Sequence, residues 1–139
     1  MRKVHFVIIL SVLVPLLACA ALTVPGRDVR TADSLFRENQ YSNAVAQYRT
    51  VIRDYPDSSW AGDARFGLAA TLAYFDNPQR DYAQALQEFE EFLRLYPDHA
   101  KTREAQNWRQ VLKTLDHLSK NIEQLERLDV KHEEKRKNR

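Results

Sequence analysis

The residue with the most distinctive chemistry is Cys19, the only cysteine in the sequence, which directly follows a short apolar segment. A thiol can be oxidised, alkylated or acylated, but one cysteine cannot form an intramolecular disulfide. The sequence has four histidines, His5, His99, His117 and His132. No two of them have the i, i+4 spacing with which two imidazoles on one helix bind a metal ion. The sequence therefore predicts that the protein is not an enzyme and has neither a metal site nor a cofactor.

The first 18 residues have the composition of a secretory signal. Arg2 and Lys3 precede an apolar run over 6–18. At about 13 residues, this run is shorter than the roughly 20 residues that a helix needs to span a bilayer. A basic start, a short apolar core and small residues at the end are typical of a signal peptide. Without Arg2 and Lys3, the basic and acidic residues balance at 19 each. This balance gives no reason to expect nucleic-acid binding.

The segment LLAC, residues 16–19, resembles the lipobox of bacterial lipoproteins. The resemblance implies cleavage before Cys19 and acylation of its sulfur and amine, for example with palmitate. Because residue 20 is alanine rather than aspartate, the same resemblance implies an outer-membrane location facing the periplasm. Residues 1–18 would be the signal peptide and 19–27 a lipidated tether. The alternatives are an ordinary signal peptide with an incidental cysteine, or a single anchor helix.

Two segments of the sequence repeat one pattern, YSNAVAQYRTVIRDYPDS (41–58) and YAQALQEFEEFLRLYPDH (82–99). Each segment places an aromatic residue four positions after an alanine. Near its end each has a proline, which stops a helix. This is the spacing of the second helix of a tetratricopeptide repeat, although the period is 41 rather than the usual 34. We predict an all-α fold of about two such hairpins, with helices at 28–39, 42–54, 59–75, 79–95 and 99–134.

A third unit begins near residue 100 and then departs from the repeat. Its apolar residues alternate in steps of four and three, the spacing of a coiled-coil seam; they are Val111, Leu115, Leu118, Ile122 and Leu125. The sequence thus predicts a repeat domain over 28–110 and a C-terminal heptad helix with a basic tail over 111–139. It leaves open whether this helix packs back on the repeats or associates with another chain.

Residues 31–108 resemble the tetratricopeptide lipoproteins of the bacterial envelope. FLRLYPDHAKTREA (92–105) is similar to segments of BamD-type and CpoB-type repeats, and LKTLDHLSKNIEQLERLDVKHEEKRK (112–137) to the C-terminal coil of QseG-type lipoproteins. The resemblance implies three possible functions: a lipid-anchored scaffold or adaptor in envelope assembly, an accessory lipoprotein of a two-component sensor kinase, or a self-associating structural coiled coil. Its partners would be other envelope proteins, bound through the repeat groove or the coil, and the membrane, bound through the lipid.

Stacked hairpins form a concave groove from their first helices, and such grooves bind segments of other proteins. Counting from the small residues of the first helices, six residues are predicted to face this groove: Asp33, Phe36, Arg37, Phe66, Ala70 and Tyr74. Phe36 and Phe66 can equally be core residues. The sequence does not choose between these two interpretations.

Overall fold

The computed structural model describes residues 24–137, which form five helices and no strand. In chain order they are α1 (Val24–Arg37), α2 (Tyr41–Asp54), α3 (Ala61–Ala73), α4 (Tyr82–Leu95) and α5 (Thr102–Lys137). Helices α1 and α2 form the first hairpin, and α3 and α4 the second. Each helix packs on the next, so the hairpins stack and α5 continues the stack. The prediction of an all-α fold with two repeat-type hairpins and a long C-terminal helix is confirmed.

Small residues allow the helices to approach closely at each crossing. Ala44 and Ala85 occupy equivalent positions one repeat apart, as do Ala64 and Ala105, and all four are fully buried. Tyr48 and Phe89, one turn after the first pair, are also buried and fill the space beside the crossing. The repeat pattern in the sequence therefore corresponds to a repeated packing unit, since the residues that match are those that touch the core.

The two YPD turns have the same hydrogen bonds. The amide of Tyr55 donates to Val51 O at 2.9 Å, and the amide of Tyr96 donates to Phe92 O at 2.9 Å. In each turn, the residue after the proline and aspartate then donates back to the tyrosine carbonyl, at 3.1 Å from Ser58 and 3.2 Å from His99. A repeated sequence thus ends α2 and α4 in one geometry, because proline supplies no amide to continue the helix.

Helix α1 begins at Val24, inside the segment 19–27 for which the sequence predicts a tether. Pro25 is tolerated in the first turn of a helix, where its missing amide has no intrahelical partner. Gly26 is buried, and a Cβ atom there would come within 2.7 Å of the Trp60 ring. Contact with Trp60 therefore adds a first turn to α1 that periodicity alone does not indicate.

The boundary predicted between 28–110 and 111–139 does not coincide with a break in the chain. Helix α5 runs without interruption through this point, and Leu112, beyond it, is buried against the domain. Lys113 also bonds Glu90 of α4, with 2.8 Å between Nζ and Oε1. From residue 113 to residue 137, however, every residue of α5 is exposed. The change from packed to projecting helix thus occurs two residues later than the predicted boundary.

Candidate functional site

The predicted lipidation residue, Cys19, lies outside the described residues, as do the signal peptide and residues 19–23 of the tether. Acylation of this cysteine stays a prediction from the sequence. Within residues 24–137, no helix is long and apolar enough to cross a membrane.

Four aromatic side chains meet where α1 ends, α2 begins and α3 ends; we call them the aromatic patch, Phe36, Tyr41, Tyr74 and Phe75. The Phe36 ring lies edge-on to Tyr74, with 5.0 Å between ring centroids, and to Tyr41, at 5.6 Å. Tyr41 and Tyr74 are also 5.6 Å apart. The patch therefore joins the first hairpin to the second through ring contacts in the geometry that aromatic pairs favour.

Two asparagines shape the turns that bring the patch together. Asn39 adopts a φ of 61°, the left-handed conformation that asparagine tolerates, and its side chain accepts a hydrogen bond from the Tyr41 hydroxyl at 2.7 Å. Asn77 is buried and donates to Thr71 O at 2.9 Å, which fixes the turn after α3. Burial raises the pKa of Tyr41, and the nearby Tyr74 and Asp76 act in the same direction.

The most exposed member of the patch was not predicted from the sequence. Phe75 follows α3, keeps 69% of its surface exposed and lies 5.3 Å from the Tyr74 ring. It falls in the extra residues between α3 and α4 that lengthen the repeat, so the repeat pattern assigns it no position. The signal available was a large apolar residue in a turn, next to a tyrosine, where loops are otherwise polar.

The six predicted groove residues do not form one surface. Phe36 and Tyr74 are half-buried members of the aromatic patch, and Arg37 is exposed beside them. Ala70 is half-buried against the core. The Asp33 carboxylate accepts a hydrogen bond from the Tyr48 hydroxyl at 2.5 Å, so it serves a buried side chain.

Phe66 belongs to the core rather than to the groove. It is only 7% exposed, and its ring lies 5.6 Å from both Phe89 and Phe92 in edge-on contacts. Of the two interpretations that the sequence left open for Phe66, the structure favours the core.

A charged cluster lies at the other end of α3. Lys101 Nζ is 3.1 Å from Asp63 Oδ1 and 4.9 Å from the centre of the Phe66 ring, and His99 Nε2 is 3.8 Å from the same carboxylate oxygen. His99 Nδ1 accepts the Lys101 amide at 3.2 Å. These contacts tie the turn before α5 to α3. In the part of the chain that the structure describes, no group of histidine, cysteine and acidic residues could hold a metal ion.

The predicted coil residues are all exposed, between 41% for Leu115 and 62% for Leu125. They do not pack back on the hairpins. The apolar residues of α5 that belong to the core are Ala105, Trp108 and Leu112, and Trp108 stacks on Phe89 of α4 with ring centroids 6.0 Å apart. Leu115 alone also borders the groove of about 370 Å³ that Tyr82 and Leu86 form with α5.

Comparison with protein families matches residues 29–138 to YfiO, described as an outer membrane lipoprotein. No curated protein matches the chain. The family match covers all five helices apart from the first five residues of α1, and it confirms the resemblance to BamD-type lipoproteins. The chain belongs to the YfiO family of outer membrane lipoproteins.

Proposed function

We propose that this protein is a non-enzymatic scaffold of the bacterial envelope, anchored in the outer membrane by lipid on Cys19 and facing the periplasm. It binds a segment of another envelope protein through the aromatic patch. Membership of an outer membrane lipoprotein family supports the location. A lipid anchor agrees with the observation that no helix of residues 24–137 could cross a membrane.

The observation that carries the binding role is the exposure of Phe75 beside a half-buried aromatic cluster. Protein interfaces are enriched in aromatic residues, which bury much area at little cost in side-chain entropy. Phe75 can supply such a contact without unfolding the domain because it has no packing partner other than Tyr74 in the ring contacts of the described chain. Asn77 and Asn39 hold the surrounding turns, so the surface is preformed.

The neighbouring charges indicate what kind of segment would bind. Arg37 is exposed beside the patch, and Arg80 Nη1 donates to Phe75 O at 3.3 Å. An apolar side chain of the partner would cover the rings, and an acidic group next to it would face Arg37 or Arg80. Steering of that kind raises association rates more than affinity.

A photo-reactive phenylalanine analogue at position 75, introduced in cells that make the full chain, tests this proposal. The matched control carries the analogue at Leu95, which is 41% exposed. Leu95 is the last residue of α4, whereas Phe75 lies in the turn before α4 begins. We expect a cross-linked product of one defined mass from position 75, and none of that mass from position 95. The Phe75→Glu variant should lower recovery of the same partner at least about tenfold, because a buried charge at an interface centre is unfavourable. Equal cross-linking from both positions would refute the role of the patch.

A further inference from the structure

The second half of α5 extends beyond the rest of the described chain. The 36 residues of α5 correspond to a helix about 54 Å long, whereas the 14 residues of α4 span about 21 Å. Tyr82, the first residue of α4, lines the same groove as Leu115 and Ser119 of α5. The helix beyond Ser119 therefore has no neighbour among residues 24–137.

This projecting helix carries four large apolar residues on one side, here called the α5 stripe: Leu115, Leu118, Ile122 and Leu125. Their exposed fractions are 41%, 52%, 57% and 62%. The spacing of three, four and three residues keeps them on one face when two helices wrap around each other. A stripe of this kind left in water favours association, because a partner surface would remove its apolar side chains from water.

We propose that the α5 stripe pairs with the α5 stripe of a second copy of this chain, in an antiparallel arrangement related by a two-fold axis. The stripe is its own complement when the midpoint lies at Lys120. Leu115 then faces Leu125 of the second copy, and Leu118 faces its Ile122. The two-fold axis repeats both layers, so the pair has four consecutive layers formed only by leucine and isoleucine.

Charge favours this direction over the parallel one. Residues 106–114 carry two basic side chains, Arg109 and Lys113, and no acidic one. Residues 126–134 carry four acidic side chains and two basic ones. The antiparallel register places 106–114 of each copy opposite 126–134 of the other, so a net positive segment meets a net negative one twice. A parallel pair would place each segment against its own copy, with like charges opposed.

The ends of the stripe favour the same direction. Asp129 continues the heptad after Leu125, and in a parallel pair the two Asp129 carboxylates would face each other in the seam. In the antiparallel pair each faces Val111 at the outer end, where water reaches it. The existing ion pairs do not oppose the arrangement, since Lys113–Glu90 and Arg127–Glu123 lie on exposed surface and contribute little.

The first test is the mass of the full chain, purified in detergent with micelles in large excess and measured by sedimentation. We expect a dimer for the wild type. Ile122→Asp should weaken dimerisation at least about a hundredfold, because the two-fold axis places a charge in two apolar layers at once. Val130→Asp is the matched control, since Val130 is 59% exposed on the same helix but lies off the stripe. It should leave the dimer intact.

The second test determines direction. Leu118→Cys and Ile122→Cys chains, carrying different tags, are mixed and oxidised; the wild type, treated in the same way, gives the background. The antiparallel pair brings position 118 of one copy within disulfide distance of position 122 of the other. Mixed disulfides should then exceed those between identical chains about tenfold. A predominance of identical-chain disulfides would overturn the antiparallel pair. A wild type that stays monomeric at tens of micromolar would overturn self-association, even if it took up a helix of another protein.

This inference goes beyond the proposed function and does not depend on it. The aromatic patch lies at the ends of α1 and α3, whereas the α5 stripe lies on the projecting part of α5. Ile122→Asp should therefore abolish the dimer and keep the cross-link from position 75. Phe75→Glu should lose the partner and keep the dimer. Each proposal can fail without the other.

Discussion

The ring of Tyr48 on α2 lies directly over Gly67 on α3, so closely that a Cβ atom at Gly67 would come within 2.5 Å of ring atoms Cε1 and Cζ. Tyr48 is buried, and its hydroxyl donates to Asp33 on α1. The contact thus joins three helices at the junction of the two hairpins. One repeat later the equivalent residues are Phe89 and Trp108, whose rings stack with centroids 6.0 Å apart.

We expect Gly67→Ala to destabilise the protein although alanine favours helix. Overpacking a core costs about 1–3 kcal/mol, and replacing glycine within a helix returns at most about 1 kcal/mol. The ring cannot move aside freely, because Asp33 holds its hydroxyl. Chemical denaturation would measure the difference in unfolding free energy. In a Tyr48→Leu background the clash is absent, so Gly67→Ala should become neutral or stabilising. A cost that persists there would show that Tyr48 is not its cause.

The Tyr48 hydroxyl should also make stability depend on pH in the alkaline range. Burial, and then the hydrogen bond to Asp33, raise the pKa of Tyr48 above its ordinary value of 10.0. Because the folded state holds the proton more tightly than the unfolded state, the contribution of this group is complete below pH 10 and decreases above it. The decrease amounts to at most about 1.4 kcal/mol per pH unit.

The comparison that isolates this effect is wild type against Tyr48→Phe between about pH 8 and pH 11. Below pH 10 the wild type should be more stable by about 1 kcal/mol, the value of one hydrogen bond. Its advantage should shrink above pH 10 and then reverse. Tyr41 also has a raised pKa, but both proteins retain it, so its effect cancels. An advantage that is constant with pH would contradict the assignment.

Phe66 and Phe75 should respond very differently to the same substitution. Phe66→Glu places a carboxylate against the apolar rings of Phe89 and Phe92, and the Lys101 ammonium that lies over the Phe66 ring is already paired with Asp63. We expect a loss of about 4 kcal/mol or more, since burial of a charge among apolar side chains is among the most destabilising changes. Phe75→Glu should change stability by less than about 0.5 kcal/mol, as is usual at exposed positions. Circular dichroism during thermal unfolding would measure both.

The sequence predicted the packing of the repeats better than their surfaces. Ala44 and Ala85, which align in the sequence, are both buried because the same helix crossing recurs in the two hairpins. Tyr41 and Tyr82 also matched, yet Tyr41 is 6% exposed and Tyr82 is 39% exposed. The difference arises from the helix that follows each hairpin. Tyr74, at the end of α3, covers Tyr41, whereas Leu115 of α5 takes the equivalent place near Tyr82. Alignment of two segments cannot show what a third will place over each of them.

The candidate site was predictable only in part, for a related reason. Phe36 and Tyr74 follow from counting along the first helices, but Phe75 belongs to residues that the repeat does not contain. Helix α5 carries two overlapping rows of apolar residues, one that packs on α4 and one that is exposed. The heptad periodicity of the sequence identified only the exposed row, which begins at Val111. The stripe that packs on α4 ends at Leu112, which replaces Thr71 of the previous repeat at an equivalent buried position. A hydrophobic pattern identifies faces and does not state which face meets a neighbour.

Cys19 should control whether the protein carries lipid. Cys19→Ser removes the thiol that the resemblance to a lipobox predicts to be acylated. We expect labelled palmitate to enter the wild type only. Ser58→Ala is a control for handling of the chain, since it lies in a turn of the folded domain. Palmitate in the Cys19→Ser variant would contradict the lipobox prediction.

Neighbouring residues at the start of the projecting helix give the sharpest test of where α5 stops packing. Leu112 is 2% exposed and Val111 is 50% exposed, although both are aliphatic and lie in the same helical turn. Leu112→Ala should cost about 2–5 kcal/mol, because it leaves a cavity against α4. Val111→Ala should change the stability of the monomer by less than about 0.5 kcal/mol, and alanine favours helix over valine. Urea denaturation should be done on the Ile122→Asp background, so that dimerisation does not contribute. Equal costs at the two positions would mean that α5 rotates on α4 and presents Val111 to the core as well.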